Sequence, residues 1–200
     1  MPDQPITGKS RFRRIAEVEP SCADQVLAIE ETFHQAIDPA AGAFDFGNVR
    51  KAASTLPATS LVKIVPAFGL QETTPVSVMV LSLKESVRQA LSRPFTNPAF
   101  WDKVEHALTR AFTGLDEQDD APHFAFRQDG GDGSTSYFYN LLFALQDEET
   151  EGFLYAMAFC IDVTFALERS KVRSLNVGDT APYTIRLNAM TVRQDLRSAA

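Results

Sequence analysis

The stretch FLYAMAFCIDVTFAL, residues 153–167, is the most informative segment of this 200-residue chain. Its odd-numbered positions carry only large apolar side chains. Its even-numbered positions are mostly small: Leu154, Ala156, Ala158, Cys160, Asp162, Thr164 and Ala166. A strand without a polar face over most of its length is typical of the middle of a sheet that is covered on both faces. The alternation therefore predicts a central strand between two helical layers.

Other segments with alternating or apolar patterning extend this sheet on either side of the central strand. Strands are predicted at 11–18, 61–70, 122–127, 135–146 and 181–193. The Gly-rich segment DGGDGSTS and the acidic tip DEETEG are interpreted as hairpin connections. Residues 171–176 are interpreted as a short extra strand or an irregular crossing.

Helical spacing of apolar residues dominates the first half of the chain. Helices are predicted at 21–37, 45–53, 74–91 and 97–115, with Asp45 and Asn97 as N-caps and Pro75 in the first turn of the third. Because the last two are joined by a short linker, we expect them to form an antiparallel hairpin.

These patterns predict a single domain of the α/β (α+β) class, an antiparallel sheet covered on both faces by helical layers. Residues 1–10 are interpreted as a flexible N-terminal arm and 11–200 as the domain, helix-rich over 20–116 and strand-rich over 122–194. A hydrophobic content of 44% is enough for a substantial core.

Charge and hydropathy exclude several classes of function. The net charge of -7 argues against nucleic acid as a partner, because phosphates demand a basic surface. No apolar run of about 18 residues predicts a membrane-spanning helix, and the N-terminus does not resemble a secretory signal peptide. We therefore expect a protein made in soluble form that leaves the cell, if it does, by a non-classical route.

Strand length leaves a membrane role open. A tilted strand needs only about 9–11 residues to cross a bilayer, and the segments 135–146, 153–167 and 181–193 are all long enough. Pattern alone favours a long, bent central hairpin in a soluble domain. The alternative is that the hairpins lose their helical cover in lipid and then close edge to edge.

The central hairpin resembles that of the cytolytic delta-endotoxin family, which includes fungal volvatoxin-like proteins and an Erwinia virulence factor. The shared residues are Tyr137, Tyr139, Asn140, Leu142, Phe143, Ala144, Tyr155, Asp162 and Val163. Further blocks agree in order, namely QAIDPAAGAFDFGNV (35–49, with Asp45, Phe46 and Gly47), VSVMVLSLKESV (76–87) and APYTIRLNAMTV (181–192). The resemblance covers roughly residues 20–195.

This resemblance implies a membrane-permeabilising cytolysin that binds phospholipid directly, releases its helices and self-associates on the target-cell membrane, with no obligatory protein partner. The strands expected to enter lipid carry Tyr137, Tyr139, Leu141, Phe143, Phe153, Tyr155, Met157, Phe159, Ile161 and Val163. Two alternatives are a non-lytic, lipid-carrying virulence factor of the same fold and a small-molecule enzyme or ligand-binding domain.

Three smaller features have competing interpretations. Phe95, Phe100 and Trp101 suit an interfacial lipid contact, or they are core residues. Arg11, Arg13 and Arg14 form a candidate processing site, an attraction to anionic lipid, or a protected sheet edge. Cys160 is a candidate for acylation by resemblance to the virulence factor, or it is a small buried apolar residue.

No residue pattern predicts catalysis, a metal site or a cofactor. His34, His106 and His123 are dispersed and lack zinc-ligand spacing. No nucleophile elbow, phosphate-binding loop or dinucleotide-binding loop occurs in the sequence. We therefore expect a protein that is not an enzyme.

Overall fold

The computed structural model describes residues 11–35, 37, 45–92, 94–127, 133–147, 149 and 151–198. The side chains of Phe46, Val49 and residues 66–68 are not among those described. The arm at 1–10 and the first half of the predicted Gly-rich connection (129–132) lie outside these residues, as do Glu148 and Thr150 in the acidic tip.

A sheet of six described strands forms the centre of the fold. The strands are β1 (Arg13–Glu17), β2 (Thr59–Pro75), β3 (Phe124–Phe126), β4 (Thr135–Gln146), β5 (Phe153–Phe165) and β6 (Thr180–Asp195). Their order is β1-β4-β5-β6-β2, and β3 pairs with β4 beside β1. Strands β4, β5 and β6 are a meander, in which Leu141 pairs with Phe159 and Phe159 pairs with Ala189. The central position expected of residues 153–167 is confirmed.

Helices cover both faces of this sheet. They are α1 (Ala23–His34), α2 (Phe46–Ala53), α3 (Val76–Leu91), α4 (Pro98–Arg110) and the short α5 (Arg169–Arg173). The large odd-numbered side chains of β5 pack with α3 and α4 in one core cluster. The small even-numbered side chains pack with α1 and Ala53 of α2 in a second cluster. The predicted arrangement of two helical layers is therefore confirmed.

Local sequence explains where the helices begin. The side chain of Asp45 accepts hydrogen bonds from the backbone N–H groups of Gly47 and Asn48, and that of Asn97 accepts from Ala99 and Phe100. Both predicted N-caps are confirmed, because these side chains satisfy backbone donors that have no partner inside the helix. Lys84 on α3 forms an ion pair of 2.5 Å with Glu105 on α4, which joins the two helices along their exposed sides.

The structure corrects the predicted sheet in three places. Strand β1 runs parallel to β4, whereas the other pairs are antiparallel. A long connection separates β1 from β4, so no tight turn fixes an antiparallel direction. Residues 171–176 are not a strand, because Arg169–Arg173 form a helical turn with Val172 buried. Strand β3 is only three residues long instead of the predicted six.

Helix ends also differ from the sequence prediction. Pairing of Pro75 with Thr180 continues β2 up to α3, so Pro75 is the N-cap and not the first helical residue. Helix α4 ends at Arg110, and Gly114 with φ of 60° turns the chain; Phe112 and Leu115 nevertheless stay buried. Helix α1 is shorter than 21–37 at both ends.

Candidate functional site

The residues predicted to enter lipid lie on the face of the central hairpin that α3 and α4 cover. Nine of the ten are buried, and the tenth, Phe153, is half-buried where β5 begins, with Arg193 4.7 Å above its ring. Alternation along β4 and β5 explains this, because every second side chain points to the same face of a sheet. The structure thus gathers these residues into one apolar surface that is hidden from water.

The underside of the helix hairpin is as apolar as the sheet face it covers. Phe95 packs edge-on against Tyr155 at 5.3 Å between ring centroids, and Phe100 packs against Phe143 at 6.3 Å. Trp101 is 7% exposed, donates its indole N–H to the Phe95 carbonyl at 2.9 Å and lies beneath Arg88. All three aromatic side chains are buried in this structure, and their interfacial lipid contact stays a prediction.

Hydrogen bonds at scattered points join this hairpin and the segment after α4 to the sheet. Tyr137 donates its hydroxyl to the Ala111 carbonyl at 2.9 Å, and Thr191 donates to the Ala90 carbonyl at 2.7 Å. Lys63 donates to the Gln89 carbonyl at 2.8 Å. Sequence reasoning missed these tethers. The polar Thr191, within the otherwise apolar run AMTV, was the available signal.

A second set of contacts joins the segment after α4 to the sheet. The Tyr139 hydroxyl donates to Gln118 at 2.6 Å and accepts from Arg13 at 3.1 Å. Burial raises the pKa of Tyr137 and of Tyr139, so both hydroxyls stay protonated and remain donors. Beside them, burial and the nearby Arg13 charge lower the pKa of His123 to about 4.

Helix α1 packs against the opposite face of the central strand hairpin, which is formed by β4 and β5. Ala156, Ala158 and Cys160 share a core cluster with Ile29 and Phe33. Burial raises the pKa of the Cys160 thiol, which keeps it protonated and unreactive. Acylation of Cys160 stays a prediction, and measurement of the intact mass would test it.

The three arginines of the N-terminal region each have partners. Arg11 donates to the Ile37 carbonyl at 3.2 Å, Arg13 to Tyr139, and Arg14 forms an ion pair of 2.6 Å with the buried Glu30 of α1. Arg13 and Arg14 lie within β1, which is paired with β4. Processing at this site stays a prediction; the geometry places two of its three candidate residues inside a paired strand.

A polar groove lies on the same face of the sheet as Cys160, toward the C-terminal end of β5. It has a volume of about 340 Å³ and is lined by Arg127, Asp162, Thr164, Thr184 and Arg186. Arg127 and Asp162 form an ion pair of 3.1 Å. Burial raises the pKa of Asp162, and the charges of Arg127 and Arg186 partly oppose this rise. Sequence reasoning did not single out this groove.

Within the described part of the chain, no group of His, Cys, Asp and Glu could hold a metal ion. His34, His106 and His123 lie on α1, on α4 and just before β3. None of the described helices is both long enough and apolar enough to cross a bilayer.

Comparison with solved structures identifies this architecture as that of the cytolytic delta-endotoxins. The activated Cyt2Ba monomer from Bacillus thuringiensis subsp. israelensis superposes with a TM-score of 0.88 at 31% identity, covering 93% of this chain and 98% of that one. A structure described as a delta-endotoxin gives a TM-score of 0.88 at 29% identity, covering 98% and 88%.

Sequence comparison agrees with the structural match. The family model described as Bacillus thuringiensis toxin matches residues 4–200, and the chain belongs to this family. The type-2Aa cytolytic delta-endotoxin of Bacillus thuringiensis subsp. kyushuensis is 30% identical over 195 residues, 98% of this chain and 75% of the relative. The family resemblance and the fold class expected from the sequence are both confirmed.

Proposed function

We propose that this protein permeabilises lipid bilayers as a cytolysin and acts without catalysis. The observation that carries the proposal is the meander of β4, β5 and β6, with 12, 13 and 16 residues. Each strand exceeds the length of about 9–11 residues that a membrane-crossing strand needs. The apolar face of this meander is hidden beneath α3 and α4. Membership in a family of cytolytic toxins supports the same function.

The mechanism begins with release of the helix hairpin. Burial of apolar surface holds the hairpin down in water, but a bilayer offers that surface an equally apolar environment. Release then costs mainly the few hydrogen bonds from Tyr137, Thr191 and Lys63 to the hairpin. It also breaks the ion pair between Lys103 of α4 and Glu17 of β1. The ladders between β4, β5 and β6 stay intact, because neither helix takes part in them.

The edges of the sheet give a physical reason for self-association in lipid. In lipid an unpaired strand edge exposes backbone groups that no water can satisfy. Several copies whose sheets pair edge to edge would satisfy these groups. Phospholipid is thus the proposed direct partner and the target-cell membrane the proposed place of action, with no protein receptor required.

A disulfide between hairpin and sheet tests the mechanism. Positions 90 and 191 are chosen because they bring α3 and β6 into contact, with the Thr191 hydroxyl 2.7 Å from the Ala90 carbonyl. The double variant Ala90→Cys, Thr191→Cys is compared with Ala90→Cys alone for release of a trapped dye from pure lipid vesicles. We expect the oxidised double variant to adsorb to vesicles without releasing dye, and reduction to restore release.

Two results would contradict the proposal. If the unmodified protein released no dye from zwitterionic and anionic vesicles, before or after trypsin, the cytolytic function would be wrong. If the oxidised double variant released dye as fast as the reduced one, the hairpin-release mechanism would be wrong while the function remained.

A further inference from the structure

The face of the sheet that α1 covers changes character halfway along β5. Ala156 and Ala158 are buried beneath α1, whereas Asp162 and Thr164, on the same face, line the polar groove. Three strand registers place Ser136, Thr164, Thr184 and Gln71 in one row across β4, β5, β6 and β2. A second hollow of about 540 Å³ adjoins the groove and shares Thr164 and Thr184 with it.

Positively charged groups outnumber negatively charged groups in the groove. Two guanidinium groups and one carboxylate give the groove itself a formal charge of +1 (two minus one) in a chain whose net charge is -7. The adjoining hollow adds the carboxylate of Glu72, and neither Arg127 nor Arg186 is among the residues that line that hollow. Asp162 is paired with Arg127. Arg186 is exposed, and its guanidinium makes no hydrogen bond or ion pair with any described residue. The groove therefore presents one guanidinium that is free to bind an anion.

The hydroxyl groups complete a set of donors suited to an oxyanion. Ser136 and Thr164 are hydrogen-bonded to each other at 2.8 Å, and Thr184 is adjacent to Thr164 in the ladder. Guanidinium groups form forked, charge-assisted hydrogen bonds to phosphate, and hydroxyl groups add neutral ones. The groove and its adjoining hollow have the size typical of small-molecule sites.

We propose that this groove binds a phosphate oxyanion, and that a phospholipid head group supplies it. The choice of lipid as the source rests on the proposed cytolytic function. Arg186 is the primary ligand, Arg127 and the hydroxyls of Thr164 and Thr184 add donors, and Asp162 limits the affinity by its negative charge. The site would hold the protein on a bilayer through head groups before any strand enters the apolar interior.

Variants of matched charge test the site. Arg186→Gln removes the free guanidinium from the groove. Arg50→Gln removes one exposed charge on α2 and leaves the residues of the groove unchanged. Asp162→Asn removes the opposing carboxylate. Each variant is titrated with glycerophosphocholine and separately with inorganic phosphate, and backbone amide shifts of Thr164 and Thr184 are followed by NMR. Binding to phosphatidylcholine vesicles and dye release are measured in parallel.

We expect Arg186→Gln to weaken glycerophosphocholine binding about tenfold, as loss of a charge-assisted hydrogen bond implies. Arg50→Gln should bind like the unmodified protein, and Asp162→Asn should bind more tightly. Vesicle binding should fall with Arg186→Gln and not with Arg50→Gln.

Three outcomes would overturn the assignment: no shift at Thr164 or Thr184, equal binding by the two arginine variants, or binding of inorganic phosphate without glycerophosphocholine. The last identifies a free-phosphate site instead of a lipid site. The proposed function is tested separately by dye release. If the protein bound head groups but released no dye, the cytolytic function would be wrong and the head-group site would be right.

Discussion

The Tyr139 hydroxyl donates a hydrogen bond of 2.6 Å to the side chain of Gln118, and this contact connects the central sheet to the segment after the helix hairpin. Gln118 in turn donates to the carbonyls of Arg110, the last residue of α4, and Gly114. The same hydroxyl accepts a hydrogen bond from Arg13 on β1. One buried phenol therefore joins β4, β1 and the C-terminal end of α4.

Removing this hydroxyl should loosen the hairpin. We expect Tyr139→Phe to lower the free energy of unfolding by about 1 kcal/mol, the usual net value of a buried hydrogen bond. If release of the hairpin limits the rate, dye release from vesicles should be about fivefold faster. Urea denaturation and stopped-flow leakage measure the two effects.

Tyr183→Phe is the matched control. The Tyr183 hydroxyl contacts Thr74 and Glu72 on the neighbouring β2, so its loss weakens the sheet without touching the helix hairpin. A comparable acceleration of leakage by Tyr183→Phe would show that general destabilisation, and not the Tyr139 tether, controls release.

Trp101 is the single tryptophan of the chain and reports on hairpin release directly. It is buried in this structure, so we expect weak quenching by acrylamide in the absence of lipid. On vesicles that contain brominated lipid, its fluorescence should fall strongly, because an apolar hairpin underside that leaves the sheet moves into the bilayer.

The oxidised double variant with cysteines at 90 and 191 supplies the control for this measurement. Its Trp101 should stay shielded from brominated lipid, and reduction should restore quenching. Equal quenching with and without the disulfide would mean that the tryptophan reaches lipid without release of the helices.

Sequence patterning predicted the centre of this fold better than its edges. The strand 135–146 agrees with β4 at both ends, because its apolar run stops at a polar turn. The parallel direction of β1 was not predicted, since it depends on how α1 crosses the sheet and not on the residues of the strand. The helical turn at Arg169–Arg173 was missed because one buried residue, Val172, gives no readable period.

The functional surfaces also differ in how far the sequence predicted them. The apolar hairpin face was readable, since alternation alone assigns Tyr137 or Phe159 to one side. The tethers and the polar groove were not, because each joins residues distant in sequence. Arg127 and Asp162, for example, meet across β4 only after the strands have paired.

The ion pair between Arg14 and Glu30 should protect β1 from proteolysis. Glu30 is buried, and its carboxylate meets Arg14 at 2.6 Å. In the native protein we expect trypsin to spare Arg13 and Arg14, because a protease needs a locally unfolded segment. Glu30→Gln should raise the cleavage rate at Arg14 about tenfold, consistent with the loss of a charge-assisted contact.

Mass spectrometry of timed digests measures this cleavage, and Glu31→Gln on the exposed side of α1 is the control. Rapid cleavage at Arg13 in the unmodified protein would contradict the prediction, as it would show that β1 detaches readily from β4.

His123 should make stability fall in weak acid. Its pKa is about 4 in the folded protein, below the ordinary 6.5, because burial and Arg13 disfavour its charged form. A depressed pKa contributes stability that is complete above 6.5 and is lost as the pH falls from 6.5 toward 4. Asp162, whose pKa is raised, acts in the opposite direction.

Replacement of His123 isolates this effect. His123→Phe keeps an aromatic ring against Tyr139, removes the titration and leaves Asp162 unchanged. Between about pH 7 and about pH 5, its urea midpoint should fall less than that of the unmodified protein. Identical falls would assign the acid sensitivity to other groups.

The order of the elements along the chain has a consequence for synthesis. The helix hairpin is complete at Arg110, but β6, the last strand of the meander, ends at Asp195, 85 residues later (195 minus 110). At a translation rate of about 5–20 residues per second, the apolar sides of α3 and α4 stay uncovered for several seconds until the sheet that buries them has been synthesised. The nascent chain, before its own sheet exists, is therefore the form most exposed to aggregation and to the producing cell's own membranes.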